Sequence, residues 1–217
     1  MPPILSRKHH NAPSVFTPES LLREARRQKH LGACTVPEIC ILDPDGDIVR
    51  HLHRDGHAGS CSGWACYHTD LQTFRRDGQD YGIIGCAVGA AFAVLIAEEL
   101  FASGCRLLIS VTSAGQILPV QTPPYFIVID RALRDEGTSY HYLPPSDYSE
   151  ADPALARVAL GALIAGGVSA QTGATWTTDA PFRETQEAIE SAAEAGILAD
   201  EGSPYVLPAA ASASPRP

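Results

Sequence analysis

Residues 81–117 read YGIIGCAVGAAFAVLIAEELFASGCRLLISVTSAGQI. An apolar run, Gly82, Ile83 and Ile84, leads into the small residues Gly85, Cys86, Ala87, Val88 and Gly89, which predicts a buried strand whose end lets the backbone be approached closely. A helix follows: Phe92, Leu95, Ile96 and Leu100 fall at helical spacing, Glu98 and Glu99 supply its polar side, and Gly104 stands where a C-terminal cap belongs. Residues 106–111 form a second strand ending in Thr112, Ser113, Ala114 and Gly115. In an open α/β sheet, ligands sit at the carboxyl ends of parallel strands, so these small and hydroxylated residues are candidates for binding. The glycines do not make the dinucleotide fingerprint and no phosphate-loop lysine is present, so the unit alone is equally compatible with ordinary sheet packing.

The rest of the chain bounds the answer. Its 217 residues are enough for one sizeable core, and 45% hydrophobic with 19% charged residues is a globular composition. No apolar run approaches a membrane span and the first residues, MPPILSRKHHNAP, lack a secretory apolar region, so a cytoplasmic location is expected. The six cysteines are scattered, as in a reduced cytosolic chain. Net charge is −9, with six Lys/Arg against two Glu in residues 1–30 and ten against 23 acids beyond them. An acidic body argues against nucleic-acid binding, which needs a basic face.

Residues 1–16 read as a disordered arm, and Thr17, Pro18 and Glu19 open a helix running to about His30. Residues 39–42 are a first buried strand. The following Asp43, Pro44, Asp45, Gly46 and Asp47 make a turn; their spacing is not that of an EF-hand loop. Four histidines and two cysteines between His51 and His68 could suit zinc, but without tight paired spacings a polar hairpin around Gly56–Gly59 is preferred, with residues 64–67 as its returning strand and no metal. Residues 125–129 are a further buried strand, followed by DRALRDEGTSYHY over 130–142. Asp152 and Pro153 open a helix whose apolar face is expected from Leu155, Val158, Ala159, Ala162 and Leu163. The strand 168–175 delivers WTTDAPFRET over 176–185, in which Asp179 could cap a helix spanning 183–195.

The glycine-rich strand end, the Ser113-Ala114-Gly115 turn and these two later segments, taken in order, resemble the nucleoside phosphorylase superfamily: uridine phosphorylases, hexameric purine nucleoside phosphorylases and methylthioadenosine nucleosidases. The resemblance spans roughly residues 39–199. It implies a three-layer α/β/α fold with a mixed, mostly parallel central sheet, and a pentosyltransferase that splits a ribonucleoside with inorganic phosphate as co-substrate and no cofactor. A homo-oligomer with no nucleic-acid or membrane partner is expected. By the same resemblance, nucleoside contacts fall on Ser113, Ala114, Gly115, Glu136, Thr138, His141, Thr177, Thr178, Asp179, Phe182 and Arg183. An aromatic ring there stacks on the base while polar side chains read its edge. Phosphate contacts fall on Gly85, Gly89, Ser113 and Arg50; no catalytic residue is assigned.

Two departures from the family pattern qualify the expected activity. The strand before Ser113 carries Leu108, Ile109 and Ser110 where phosphorylases commonly place an arginine, so phosphate would rest on Arg50, on Arg131 or Arg134, or on backbone N–H groups. Water could replace phosphate, as in the nucleosidases. After Ala199 the family's Glu-Met-Glu ribose segment is missing, and residues 200–217 read as an irregular low-complexity tail. A C-terminally truncated domain over 17–199 is therefore expected, either of impaired activity or an inactive remnant that binds nucleosides or subunits.

Overall fold

The computed structural model describes residues 2–200; of the expected tail, residue 200 is in a strand and residues 201–217 lie outside the described residues, as does the place where the ribose segment was expected to be missing. The described chain divides into two compact units, one of residues 11–112 and the other of residues 2–10 with 113–200.

In the first unit, α1 (Pro18–Lys29) starts as its sequence requires: Thr17 Oγ1 accepts the Ser20 N–H and Pro18 fills a position that needs no donor. Arg26, Arg27 and Lys29 close its last turn, where cations oppose the helix dipole favourably. There follow β1 (Ile39–Asp43), α2 (Asp47–Arg54), β2 (Gly59–Ser60), β3 (Gln72–Arg76), β4 (Gln79–Gly85), α3 (Ala90–Ala102) and β5 (Leu107–Ser110). The sheet order is β2-β3-β4-β1-β5, with β1 parallel to both β4 and β5. Cys40, Leu42, Ile84, Ile96 and Leu100 are central to its core.

The expected hairpin over residues 51–68 is corrected. Residues 47–54 are helical instead, and Trp64, Ala65 and Cys66 are buried without forming a strand. The hairpin lies further on, where β3 pairs antiparallel with β4. Its turn residues Asp77 and Gly78 both take positive φ. Glu99 is also corrected: expected on the polar side of α3, it is 1% exposed, because α3 carries apolar residues nearly all round and cannot offer a wide wet face.

The second unit contains β6 (Gly115–Gln116), β7 (Phe126–Asp135), β8 (Tyr148–Glu150), α4 (Pro153–Ala165), β9 (Ala170–Thr178), α5 (Gln186–Glu194) and β10 (Ala199–Asp200). Its sheet order is β6-β10-β9-β7-β8, parallel through β10, β9 and β7 and antiparallel at both edges. Strand β7 continues well past the expected Ile129, with a register irregularity between Ile129 and Arg131. Residues 139–141 form a 3-10 turn. On α4 only Ala156 is buried, whereas Leu155 and Val158 are exposed; a helix apolar on several faces does not reveal by periodicity which one packs. The expected α/β class holds, with mixed sheets flanked by helices, its strands divided between two five-stranded sheets. Among the described residues no helix is long and apolar enough to cross a membrane.

Candidate functional site

In the first unit the carboxyl ends of β1 and β4 lie side by side, with Asp43 in register with Gly85. Asp43 is buried because its carboxylate is consumed locally: Oδ1 accepts the Gly46 N–H at 3.1 Å and Oδ2 the Val49 N–H at 2.9 Å. This fixes the turn into α2, an anion placed against the donor end of a helix. Gly46 takes φ +74°, and a Cβ there would lie 2.7 Å from Cys86 Sγ and 2.8 Å from Arg50 Nη1, so a side chain at position 46 would be strained and would displace both neighbours. Arg50 lies at this strand end as its candidate role asks, but Nη2 already donates to Asp47 Oδ1 at 2.5 Å and to Asp45 O at 2.8 Å. The Asp47 hydrogen bond holds the guanidinium above its ordinary pKa. Gly89, with φ +89°, opens α3, and a Cβ there would meet nothing within 4 Å. Among the described residues no three His, Cys, Asp or Glu side chains converge as a metal requires.

In the second unit the carboxyl ends of parallel β7 and β9 bring two of the candidate segments together. Asp179 Oδ2 accepts the Gly137 N–H at 2.7 Å, and Asp179 N–H donates to Asp135 O at 3.3 Å. Trp176 Nε1 donates to Asp135 Oδ2 at 3.1 Å, a further tie between the strands. Asp179 therefore does not cap the next helix. That task falls to Thr185, whose Oγ1 accepts the Ala188 N–H at 3.2 Å, so α5 starts later than the sequence suggested. Thr177 and Thr178 are buried, the latter with Oγ1 accepting the Ala180 N–H at 3.1 Å. Phe182 and Arg183 lie in a 3-10 turn, and Phe182 is 100% exposed.

Glu136 is buried, and both its oxygens face the Ser139 N–H, at 2.9 and 3.3 Å. Thr138 O accepts the His141 N–H at 3.0 Å, and His141 Nδ1 meets Lys8 Nζ at 2.8 Å. Ser113, Ala114 and Gly115 are exposed, and Gly115 pairs with Asp200 at the sheet edge.

Arg134 was a possible phosphate donor, but its geometry assigns it elsewhere. It is buried, donates to Ser139 Oγ at 2.7 Å, Ser146 Oγ at 2.7 Å and Pro144 O at 2.8 Å, and lies 4.2 Å from the Tyr140 ring centroid. It organises residues 139–146. Arg131 stacks on Tyr148 at 4.7 Å. The signal for Arg134 was present in the two prolines and two serines within twelve residues of an arginine that a strand places indoors.

The family model described as "Phosphorylase superfamily" matches residues 39–206. Among solved structures the chain is similar to uridine phosphorylase from Vibrio fischeri ES114, with 22% identity, TM-score 0.65, and coverage of 76% of this chain and 70% of that one. It is similar also to the same enzyme complexed with 6-hydroxy-1-naphthoic acid, with 20% identity, TM-score 0.67, and coverage of 81% and 75%. At such identity the likeness is one of fold. No curated protein matches significantly. A match over most of the chain, on a fold that the solved structures share, places this chain in the phosphorylase superfamily.

Proposed function

We propose that the protein cleaves the N-glycosidic bond of a ribonucleoside with inorganic phosphate, giving the free base and ribose 1-phosphate. The observation that carries this reading is the pairing of the 136–141 and 177–183 segments at the strand ends of a superfamily member, locked by the Asp179–Gly137 hydrogen bond. Phosphate oxygen attacks the anomeric carbon as the bond to the base nitrogen breaks, and the electron pair leaves with the base. The sugar passes through an oxocarbenium-like state, so contacts that strengthen as charge moves onto the base accelerate the reaction.

In this reading Phe182 stacks on the base, Thr177, Thr178, Asp179 and Arg183 read its edge, and Thr138 and His141 face the sugar, with Glu136 fixing their turn. Ser113, Ala114 and Gly115 line the same substrate. Gly85, Gly89 and Arg50 are the proposed phosphate contacts on the first unit. Hydrolysis is the second reading, and one observation favours it: Arg50 Nη2 is already engaged by Asp47 and Asp45, which leaves only Nη1 and Nε of the guanidinium for an anion. Release of base from uridine, inosine and methylthioadenosine, with and without phosphate, tests both. Base release that requires phosphate supports the first reading, equal release without it supports the second, and no release from any of the three refutes both.

A further inference from the structure

Four of the six cysteines lie in two pairs within the first unit. Cys40, in β1, and Cys105, just ahead of β5, are buried; Cys34 is exposed and Cys61 half-buried. The Cys34 and Cys61 thiols lie within hydrogen-bonding reach of each other. The approach is built into the backbone, since a Cβ on Gly63 would fall 2.1 Å from Cys34 Cβ and 2.3 Å from Cys34 Sγ. Only a residue without a side chain admits Cys34 at that place, two positions from Cys61. Cys61 is in turn anchored, its N–H donating to Leu71 O at 2.9 Å and its carbonyl accepting the Trp64 N–H at 3.1 Å. Burial pushes the Cys61 thiol above its ordinary pKa, opposed by the Gly63 and Trp64 N–H groups nearby.

We propose that Cys34 and Cys61 form a reversible redox pair that closes to a disulfide on exposure to a hydroperoxide. The exposed Cys34 is the sulfur a peroxide reaches first. Its thiolate attacks one oxygen of hydrogen peroxide, the O–O bond breaks, and the leaving hydroxide takes up the proton that the Cys34 thiol released, so that a Cys34 sulfenic acid and one water result. The Cys61 sulfur then attacks the sulfenic sulfur, the S–O bond breaks, and the departing hydroxide takes the Cys61 proton as a second water. Two thiols lose two electrons to one peroxide. Cys34 precedes β1 and Cys61 follows β2, so the bridge ties the connection between α1 and β1 to that between β2 and β3. The Cys40–Cys105 pair has the same chemistry but is sealed in the core.

The test treats the full chain with hydrogen peroxide, removes the excess with catalase, and maps the unreduced protein by mass spectrometry. Trypsin with a glutamate-specific protease isolates Cys34 on residues 30–38, away from Cys40. The expected product has lost two hydrogens and is cross-linked between Cys34 and Cys61. It is reversed by dithiothreitol, absent in Cys34→Ser and Cys61→Ser, and retained in Cys86→Ser. Thermal unfolding of the oxidised wild type should move to higher temperature and return on reduction. Gly63→Ala, which displaces Cys34, should slow closure. A Cys34 sulfinic acid beside a Cys61 thiol, a link through any other cysteine, a link between molecules, or no loss of thiols would each overturn the proposal, and none depends on a variant folding.

Discussion

Replacing Asp179 by alanine separates two roles that the sequence could not tell apart, as a helix cap and as a tie between strand-end loops. The tie is a hydrogen bond from the Gly137 N–H to a carboxylate oxygen at 2.7 Å. Hydrogen bonds to charged groups contribute about 1.5–3 kcal/mol net. Asp179 is exposed, so the lower end applies, and losing about 1.4 kcal/mol raises local opening about tenfold. Asp179→Ala should therefore speed amide exchange at Gly137 about tenfold, while Asp179→Asn, which keeps an acceptor, should recover part of the protection. Exchange at Ala188 should not change, because Thr185 caps α5. If Gly137 exchanged at the wild-type rate and Ala188 lost protection instead, Asp179 would be the cap after all and the described loop contact would play no part.

Glu99→Met should stabilise the protein by about 1–3 kcal/mol at neutral pH in urea titration, because both Glu99 oxygens are buried and only the weak Cys66 thiol lies near enough to donate to them. Burial pushes the Glu99 carboxyl above the usual carboxylate range, opposed by Cys66, His68 and Lys29 nearby. The folded state thus holds a proton that the unfolded state has released, so wild-type stability should fall as pH rises from the ordinary carboxylate value to the raised one, and the variant should flatten that slope. Gly46→Ala should cost about 1–3 kcal/mol, since it combines φ +74° with contacts under 3 Å to Cys86 and Arg50; an unchanged urea midpoint would show that the turn relaxes freely. Phe182→Ala should leave stability within about 0.5 kcal/mol, its ring being fully exposed. It should weaken nucleoside affinity by about 1–3 kcal/mol in calorimetry, and unchanged affinity would remove Phe182 from the base site.

The order of strand, helix and strand in residues 81–117 was legible from short apolar runs and their glycine boundaries, although the buried face of the helix was not. Gly82, Ile83 and Ile84 form a short buried run, and Gly89 and Gly104 punctuate the helix between them. Thr17 and Asp152 were legible as caps for the same reason: a short oxygen-bearing side chain directly ahead of proline has few other local uses. The helix of residues 47–54 overlaps the start of the hairpin expected over His51–His68; its sign in the sequence was Ile48, Val49 and Leu52 on one helical face. Asp179 as a tie to Gly137 was out of reach, since it depends on β7 and β9 ending side by side, a pairing between residues 42 positions apart. The burial of Glu99 had only a weak local sign, an α3 that is apolar nearly all round and leaves little room for a wet face.

Phosphorus NMR of the protein with inorganic phosphate and a panel of uridine, inosine and methylthioadenosine tests the central claim most directly. The account predicts a new sugar 1-phosphate ester resonance from at least one nucleoside, growing in step with free base and vanishing in controls without protein. Free base appearing with only the inorganic phosphate signal would establish hydrolysis, and no base from any nucleoside would contradict the assignment of a glycosidic-bond-cleaving enzyme.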